Sequence, residues 1–461
     1  MPKDLRTWLR SVEKLGAGEL RRVTKRVDPK FEASALMERL ERGKLYPTVL
    51  FENVVDVEER TTSMRIIFNC FANMAKIGAA LGVDGEKREE LYNEFTKRMS
   101  NSIDVLLIDE NEAPIYSHSL LGSQVDLNIL PIPRVSALDG GHYLTPLVIT
   151  KVPGGRYNLS FNRCMLLDHN HLAIYMSPRH LWQYTREAEE RGEDLSVALV
   201  LGHHPALYLS GAALVGLDKD EYRVAASILG ESIRVVPSKT LGEDFFIPAD
   251  AEAVLEGKIK ALKRTVEGPF GEFTGYIGSQ RLSWLVEITA VHHRPDAIIL
   301  QVFSSHRDNM YAHFPLQASI FAHLKNMFPN VKDIAWVETG GPLHMVISME
   351  KRTEGEPLRA AMAAMSMSNF IKHVIIVDED IDVTDNEKIM WAIATRVQAD
   401  RDVKIIEGIQ GQLLDPSLPD EIRGSGMIID ATKPKGKIFP PIAQPPEEVV
   451  RKINITEYFD L

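Results

Sequence analysis

The sequence predicts an α+β protein in three parts: an N-terminal α/β domain, a mostly β middle, and a C-terminal α/β domain. Three observations carry that reading. The chain has 461 residues, more than a single hydrophobic core usually serves, so two or three domains are expected. From about Pro114 the pattern changes from alternating strands and helices to short apolar runs separated by turn residues. Beyond a helical stretch at Tyr311 to Met327, strands and helices alternate again. The boundaries this sets are 1–112, 113–308, a linker helix over 309–328, and 329–461.

Each element has a local reason. Leu5, Trp8, Leu9, Val12 and Leu15 fall at helical spacing, and Gly16 and Gly18 end the pattern. Asp28 before Pro29 offers an N-cap and a first-turn proline for a helix through about Glu41. Tyr46 to Val54 and Met64 to Asn69 read as strands, Phe71 to Leu81 and Glu86 to Met99 as helices. In the middle, strands are expected at Tyr143 to Thr150, Tyr157 to Leu167, Leu172 to Met176, Val197 to Leu201, Ala206 to Leu209, Ile233 to Val236 and Leu282 to Val291. Turns are expected at Asp139-Gly140-Gly141 and Asp168-His169-Asn170. His293 to Asp296 reads as a hairpin leading into Ala297 to Phe303. Two helices interrupt the strands: Ser177-Pro178 start one through about Glu190, and Asp218 to Glu221 resembles a capping box before Tyr222 to Leu229. So many short strands suggest a barrel or a sandwich. The third part has strands at Ile334 to Val337, Leu343 to Ser348 and His373 to Val377, and helices at Pro357 to Met367 and Glu387 to Thr395. A proline-rich tail ends in a short helix near Glu447 to Ile453.

Composition narrows the function classes. Hydrophobic residues are 44% and charged residues 25%, ordinary for a globular protein and against long disordered tracts. A net charge of -11 disfavours nucleic acid or an anionic membrane as the main partner. Cys70 and Cys164 are the only cysteines, so a reducing compartment is the simpler expectation. The chain opens without the basic start and apolar run of a secretory signal, and no apolar run reaches about 18 residues. A cytoplasmic protein without a membrane span is expected.

The phosphate-cradling and Rossmann glycine fingerprints are missing, as is any Cys-x-x-Cys pair. Adjacent His203 and His204 before Pro205 read as a turn, because neighbours on a strand point to opposite faces. The stretch from Glu267 to Tyr276 is more informative. Glu267 and Glu272 are five positions apart with Gly268, Pro269 and Gly271 between them, and neither a strand nor a helix brings that spacing together. A Gly-Pro-x-Gly bend does. Paired acids on such a bend suit proton transfer, one being held protonated by burial or by its neighbour's charge; a solvated surface turn is the competing reading.

Asn158, Ser160 and Asn162 alternate with Leu159 and Phe161, giving one strand face unusual polarity. Arg163 has odd spacing from Asn158, so both serve one site only if a bulge or strong curvature intervenes. A half-exposed strand with a surface arginine fits the pattern equally. His180 and Glu221 each lie in the first turn of an expected helix, where ligands are often presented and where a glutamate also serves the helix dipole.

Taken together, these segments resemble the UbiD family of decarboxylases, which use prenylated FMN. The resemblance rests on Asn158-Leu-Ser-Phe-Asn-Arg163, Arg179-His180, Asp220-Glu221-Tyr222, Glu267-Gly-Pro-Phe-Gly-Glu272, and Asp378 to Asp385 ahead of Trp391-Ala392. It implies a split β-barrel, of the kind seen in flavin reductases, for the cofactor domain and a C-terminal domain that supports dimers, or a hexamer built of dimers. It also implies a catalytic trio of Glu267, Arg163 and Glu272, and divalent-metal ligands Asn158, His180 and Glu221. The metal is manganese or magnesium, with potassium nearby; these hard cations suit carboxylate, amide and phosphate oxygens. Ser160, Phe161, Asn162, Arg179, Gly211 and Ala212 complete the expected cofactor surroundings. Arg179 stands where relatives often carry glutamine.

Losing CO2 from an unsaturated carbon needs an electron sink that side chains do not provide. The resemblance implies that the modified flavin serves as that sink through a covalent adduct, with Arg163 steering the substrate carboxylate, Glu267 holding Arg163, and Glu272 as general acid. The implied partners are a small carboxylic acid, CO2, and a flavin prenyltransferase that supplies the cofactor. An aromatic, heteroaromatic or α,β-unsaturated acid is expected as substrate, with His306 a candidate contact. A ubiquinone-precursor acid, 4-hydroxy-3-polyprenylbenzoate, is the competitor within the family. A flavin-binding redox protein and a non-catalytic metal- or phosphate-binding scaffold are the alternatives from other classes.

Overall fold

The first helix forms where its spacing places it. In the computed structural model, which describes residues 2–338, 340–418 and 423–459, Leu5–Glu13 buries Leu5, Trp8, Leu9 and Val12, and Asp4 and Thr7 close a capping box. Leu20–Val23 then pairs parallel with Thr48–Phe51, which pairs antiparallel with Arg65–Phe68. The fourth strand of this sheet, Ile298–Leu300, comes from more than 200 residues downstream and pairs parallel with Arg65–Phe68. His293 to Asp296 is therefore a crossing between two sheets, correcting the expected hairpin.

The central sheet holds the site. Its strand order is Tyr143–Leu144, Arg163–Leu166, His171–Tyr175, Arg281–His293, Ala253–Glu267, Leu195–Val200, Leu147–Lys151 and Tyr157–Phe161, with His118–Leu121 added to Arg281–His293. The two long strands pair antiparallel, with register shifts at Glu256/Gly257 and Ile259/Arg264. Such irregularities bend a strand and deepen its twist, and the sheet curls into a half-barrel around Val148, Cys164, Leu172, Val197, Leu255 and Val286. This is the expected split barrel, in a chain of mixed α and β structure.

The stretch Tyr157 to Leu167 is two strands. Tyr157–Phe161 pairs with Leu147–Lys151, while Arg163–Leu166 pairs with His171–Tyr175. The break at Asn162 separates the two halves widely in the sheet order, Tyr157–Phe161 lying last and Arg163–Leu166 second.

Other expectations are corrected by local chemistry. Ala206 to Leu209 belongs to a helix, Pro205–Ser210, with proline in its first turn and the His204 ring accepting from the Ala206 N–H. The second helix starts at Glu32, because Asp28 turns its carboxylate to the Lys30 N–H. The helices at His180–Glu190 and Glu221–Leu229 are capped at Arg179 and Asp220, two residues later than predicted. The expected linker helix is two, Arg307–Ala312 and Phe314–Met327.

The C-terminal sheet runs in the order Val331–Val337, Gly341–Met349, His373–Asp378, Arg423–Ala431 and Val403–Gln410. Its acidic run is bound by cations: Arg396 donates to Asp378 and Asp380, and Arg88 of the N-terminal part donates to Asp333 and Asp382. None of the described helices is long and apolar enough to cross a membrane.

Candidate active site

Glu267 is the last residue of its long strand, and the chain turns sharply there. Gly268 has φ +91°, a conformation that side chains disfavour, and the Gly268–Pro269 peptide bond is cis. Phe270–Gly271 then pairs with Ile277–Gly278 in a short ladder that carries Glu272 back over the strand ends. A second loop holds the bend from outside. The Gly140 N–H donates to the Pro269 carbonyl at 2.7 Å, and the Gly271 N–H donates to Asp139 at 2.9 Å. A Cβ at Gly140 would lie 2.2 Å from the Gly268 carbonyl oxygen, so the loops meet only because residue 140 is glycine.

The bend brings both acids to one guanidinium. Arg163 donates from Nε and Nη2 to Glu267 at 2.9 and 3.2 Å, and from Nη1 to both oxygens of Glu272 at 2.7 Å. Glu267 is fully buried and the Arg163 side chain is 9% exposed, which excludes both the solvated turn and the surface arginine. The cation lies between the rings of Tyr175 and Phe270, with Cζ 4.4 and 4.5 Å from their centroids. Tyr143 donates to Glu267 at 3.1 Å and accepts from the Gly268 N–H at 3.1 Å, fixing the inner acid.

The electrostatics separate the partners. Burial works against the charge of Arg163, but the two carboxylates outweigh it and hold the guanidinium protonated, its pKa raised. Burial pushes the Glu272 carboxyl up from the ordinary glutamate range, while Arg163 and the more distant Arg281 pull it down and only partly offset that push. Arg281 opens the strand opposite Glu267 and stacks 4.6 Å from Tyr175, on the ring that Arg163 also meets. A buried acid inclined toward protonation beside a fixed cation can take up and deliver a proton.

A second cluster lies along Tyr157–Phe161. Asn158 donates to both oxygens of Glu221 at 2.9 Å, the Leu159 N–H donates to Glu221 at 2.6 Å, and His180 Nδ1 lies 3.1 Å from Glu221. One strand and two helix starts thus bring together the three expected metal ligands. The Asn158 Oδ1 is buried without a hydrogen-bond partner, which is costly unless something outside the protein meets it. An amide oxygen, a carboxylate and an imidazole suit manganese or magnesium, so these residues fit the divalent cation the resemblance implies. Among the described residues there is no group of three or more His, Cys, Asp or Glu suited to a metal. The helix His180–Glu190 has no side-chain cap, leaving its first N–H donors to an anion such as a flavin phosphate.

The remaining candidates divide. Ser160 donates to Asn162, and Asn162 donates to the Tyr175 carbonyl, so both brace the strand break. Phe161 turns its ring toward Tyr208 in the core. Gly211, followed by Ala212, abuts this strand, its Cβ position 3.4 Å from the Ser160 carbonyl carbon. Arg179 stands just ahead of its helix without a capping hydrogen bond and stacks over Phe370 at 5.9 Å. His306 turns its nitrogens to Glu38 and Glu41 at 3.2 and 2.7 Å, and its ring stacks on Phe303. Sequence reasoning missed Tyr143, Tyr175, Asp139 and Arg281. Asp139 had a visible signal, in its turn before two glycines, but nothing tied that turn to Gly271.

Comparisons with known proteins agree with this fold. Residues 107–306 match the 3-octaprenyl-4-hydroxybenzoate carboxy-lyase Rift-related domain of UbiD, 309–431 its C-terminal domain, and 14–99 its N-terminal domain. An anhydromevalonate phosphate decarboxylase of Methanothermobacter thermautotrophicus is 37% identical over 335 residues, covering 70% of this chain and 78% of the relative. The chain belongs to the UbiD family of decarboxylases. A phenolic acid decarboxylase of a Streptomyces species is 30% identical over 446 residues, 94% of this UbiD-family chain and 92% of the relative. Among solved structures, the UbiD-class enzyme HmfF from Pelotomaculum thermopropionicum in complex with FMN superposes with a TM-score of 0.91 at 33% identity, over 99% of this chain and 100% of that one. An evolved dimeric form of HmfF in complex with prFMN superposes with a TM-score of 0.88 at 32% identity, with the same coverage. This chain is accordingly a carboxy-lyase with flavin-bound structural neighbours.

Proposed function

We propose that this enzyme decarboxylates an aromatic, heteroaromatic or α,β-unsaturated carboxylic acid reversibly and without net oxidation, using prenylated FMN. The observation that supports it most is the buried ladder Glu267–Arg163–Glu272, a cation suited to a carboxylate beside an acid that burial pushes toward protonation. When bound, the prenylated flavin supplies the electron sink that loss of CO2 requires. Asn158, His180 and Glu221 would hold manganese or magnesium, whose charge, with potassium, offsets the cofactor phosphate. Ser160, Asn162, Gly211 and Ala212 would border the cofactor.

The chain's own residues perform the proton and charge work. Arg163, anchored by Glu267, receives the substrate carboxylate in a charge-assisted contact. To do so it releases Glu272, to which its Nη1 is committed in the free enzyme. Glu272 then loses its counter-ion inside a buried pocket, so desolvation governs it and it takes up a proton. It delivers that proton to the carbon vacated by CO2, while Tyr175 and Phe270 exclude water from the guanidinium.

The named relatives offer two substrate types, phenolic acids and anhydromevalonate phosphate, and the family descriptions name an octaprenyl hydroxybenzoate. Coexpression with a flavin prenyltransferase and a screen of these acids for CO2 release tests the reading. Release from at least one acid is expected. No release from any of them, with prenylated flavin confirmed by mass spectrometry, would sink the proposed substrate range and mechanism.

A further inference from the structure

The guanidiniums of this site are treated unequally. Arg163 is saturated by two glutamates, whereas Arg179 has no ion pair and no side-chain hydrogen bond among the described residues; Phe370 is the ring beneath it. Arg179 is solvent-accessible and stands just ahead of the helix His180–Glu190, while Phe370 precedes the strand His373–Asp378 of the C-terminal sheet. The cation therefore faces the junction of the central and C-terminal parts.

That junction continues to the proton donor. Phe370 packs edge-on against Phe273 and His313, with centroids 5.5 and 5.3 Å apart, and Phe273 directly follows Glu272. His313 Nδ1 bonds the Asn309 carbonyl at 2.8 Å. A wall of rings thus leads from Glu272 to an arginine that has no internal anion. A guanidinium held without a partner is ready to bind a carboxylate or phosphate in two-point, charge-assisted contact.

We propose, on the footing of the decarboxylase reading above, that Arg179 is a specificity residue for a second negative group on the substrate. The carboxylate that leaves is held by Arg163, the unsaturated part lies along Phe273 and Phe370, and a distal carboxylate or phosphate is held by Arg179. The substrate is then a dianionic acid. The other anion of the right chemistry is the cofactor phosphate, near the adjacent His180, and the test separates the two.

Binding is measured calorimetrically on the full chain loaded with prenylated flavin and manganese. The probes are two matched pairs: benzene-1,4-dicarboxylate against 4-hydroxybenzoate, and anhydromevalonate phosphate against anhydromevalonate. The wild type is expected to bind at least one dianion more tightly than its partner by about 10-fold or more, the size of one charge-assisted contact. Arg179→Gln is expected to erase that preference and Arg179→Lys to keep part of it, both retaining flavin. Equal wild-type affinity within both pairs, absence of binding by both dianions, or loss of flavin from Arg179→Gln overturns the proposal; the last result gives Arg179 to the cofactor phosphate. Carbon dioxide release is scored separately. A binding preference without turnover of any acid counts against the decarboxylase reading and leaves the anion site standing.

Discussion

Glu272 and Glu267 hold the same arginine and differ in how many groups hold them. Glu267 is locked by Arg163 and Tyr143 at once, while Glu272, among the described residues, is held by Arg163 alone and is pushed toward protonation. Glu272→Gln keeps the shape and removes the transferable proton, so turnover is expected to fall by about 10²–10⁴-fold, with flavin absorbance retained. Undiminished CO2 release from that variant, at full cofactor loading, removes Glu272 from the mechanism. The pH dependence follows from the same shift. A general acid works only while protonated, so its contribution is complete below its raised pKa and is lost as pH climbs through it. Arg281 pulls that pKa down, and Arg281→Gln is expected to move the alkaline limb of the kcat profile to higher pH. A limb moving the other way contradicts the assignment. At the second cluster, Asn158→Ala removes the unpartnered buried oxygen. If that oxygen is a metal ligand, the variant purifies with less manganese and loses flavin faster on treatment with a chelator, both readable by metal analysis and absorbance.

At the scale of the element, two glycines set how the bend closes. A Cβ at Gly140 would meet the Gly268 backbone at 2.2 Å, whereas one at Gly278 would meet the Glu272 side chain at 2.6 Å. Backbone yields less readily than a side chain. Gly140→Ala is therefore expected to destabilise the fold by about 1–3 kcal/mol, seen as a lower Tm, and Gly278→Ala to displace Glu272 and reduce turnover with little change in Tm. Equal effects on Tm would show that the bend does not separate these roles. The same elements show what local sequence conveys. Helices with an apolar stripe, such as Leu5–Glu13, were legible because the pattern repeats within one element. Ala253–Glu267 was not, because Lys258, Lys260, Lys263 and Arg264 break up its apolar alternation while its partners lie elsewhere in the chain. Pro205–Ser210 is a helix where a strand is expected, because a short apolar run between turn residues fits either state. The Glu267–Glu272 bend announced itself through glycine and proline, and the resemblance supplied Arg163, whose strand break at Asn162 no periodicity could reveal. Tyr143 and Tyr175 acquire their roles only from neighbours brought by the fold.

The whole molecule presents an apolar surface that its own core does not use. Ile438, Ile442, Val449, Val450, Ile453, Ile455, Tyr458 and Phe459 are all exposed along the proline-rich tail. Singly exposed apolar residues need no explanation, but a run of them on an extended tail is costly in water and marks an interaction surface. The C-terminal part adds Met390, Trp391 and Ile405, also exposed. A second copy of the chain supplies both features at once, since tail and patch of one subunit can be matched by patch and tail of the other under two-fold symmetry. Light scattering after gel filtration is expected to give a dimer, or a larger assembly of dimers, for the full chain. Removing residues 438–461 is expected to yield a monomer that still binds flavin, because Arg163, Glu267, Glu272 and the Asn158 cluster lie wholly within the body of one chain. If the truncated protein keeps its full mass in solution, the tail is not the seam. Loss of flavin along with assembly would mean that the site is completed across the interface.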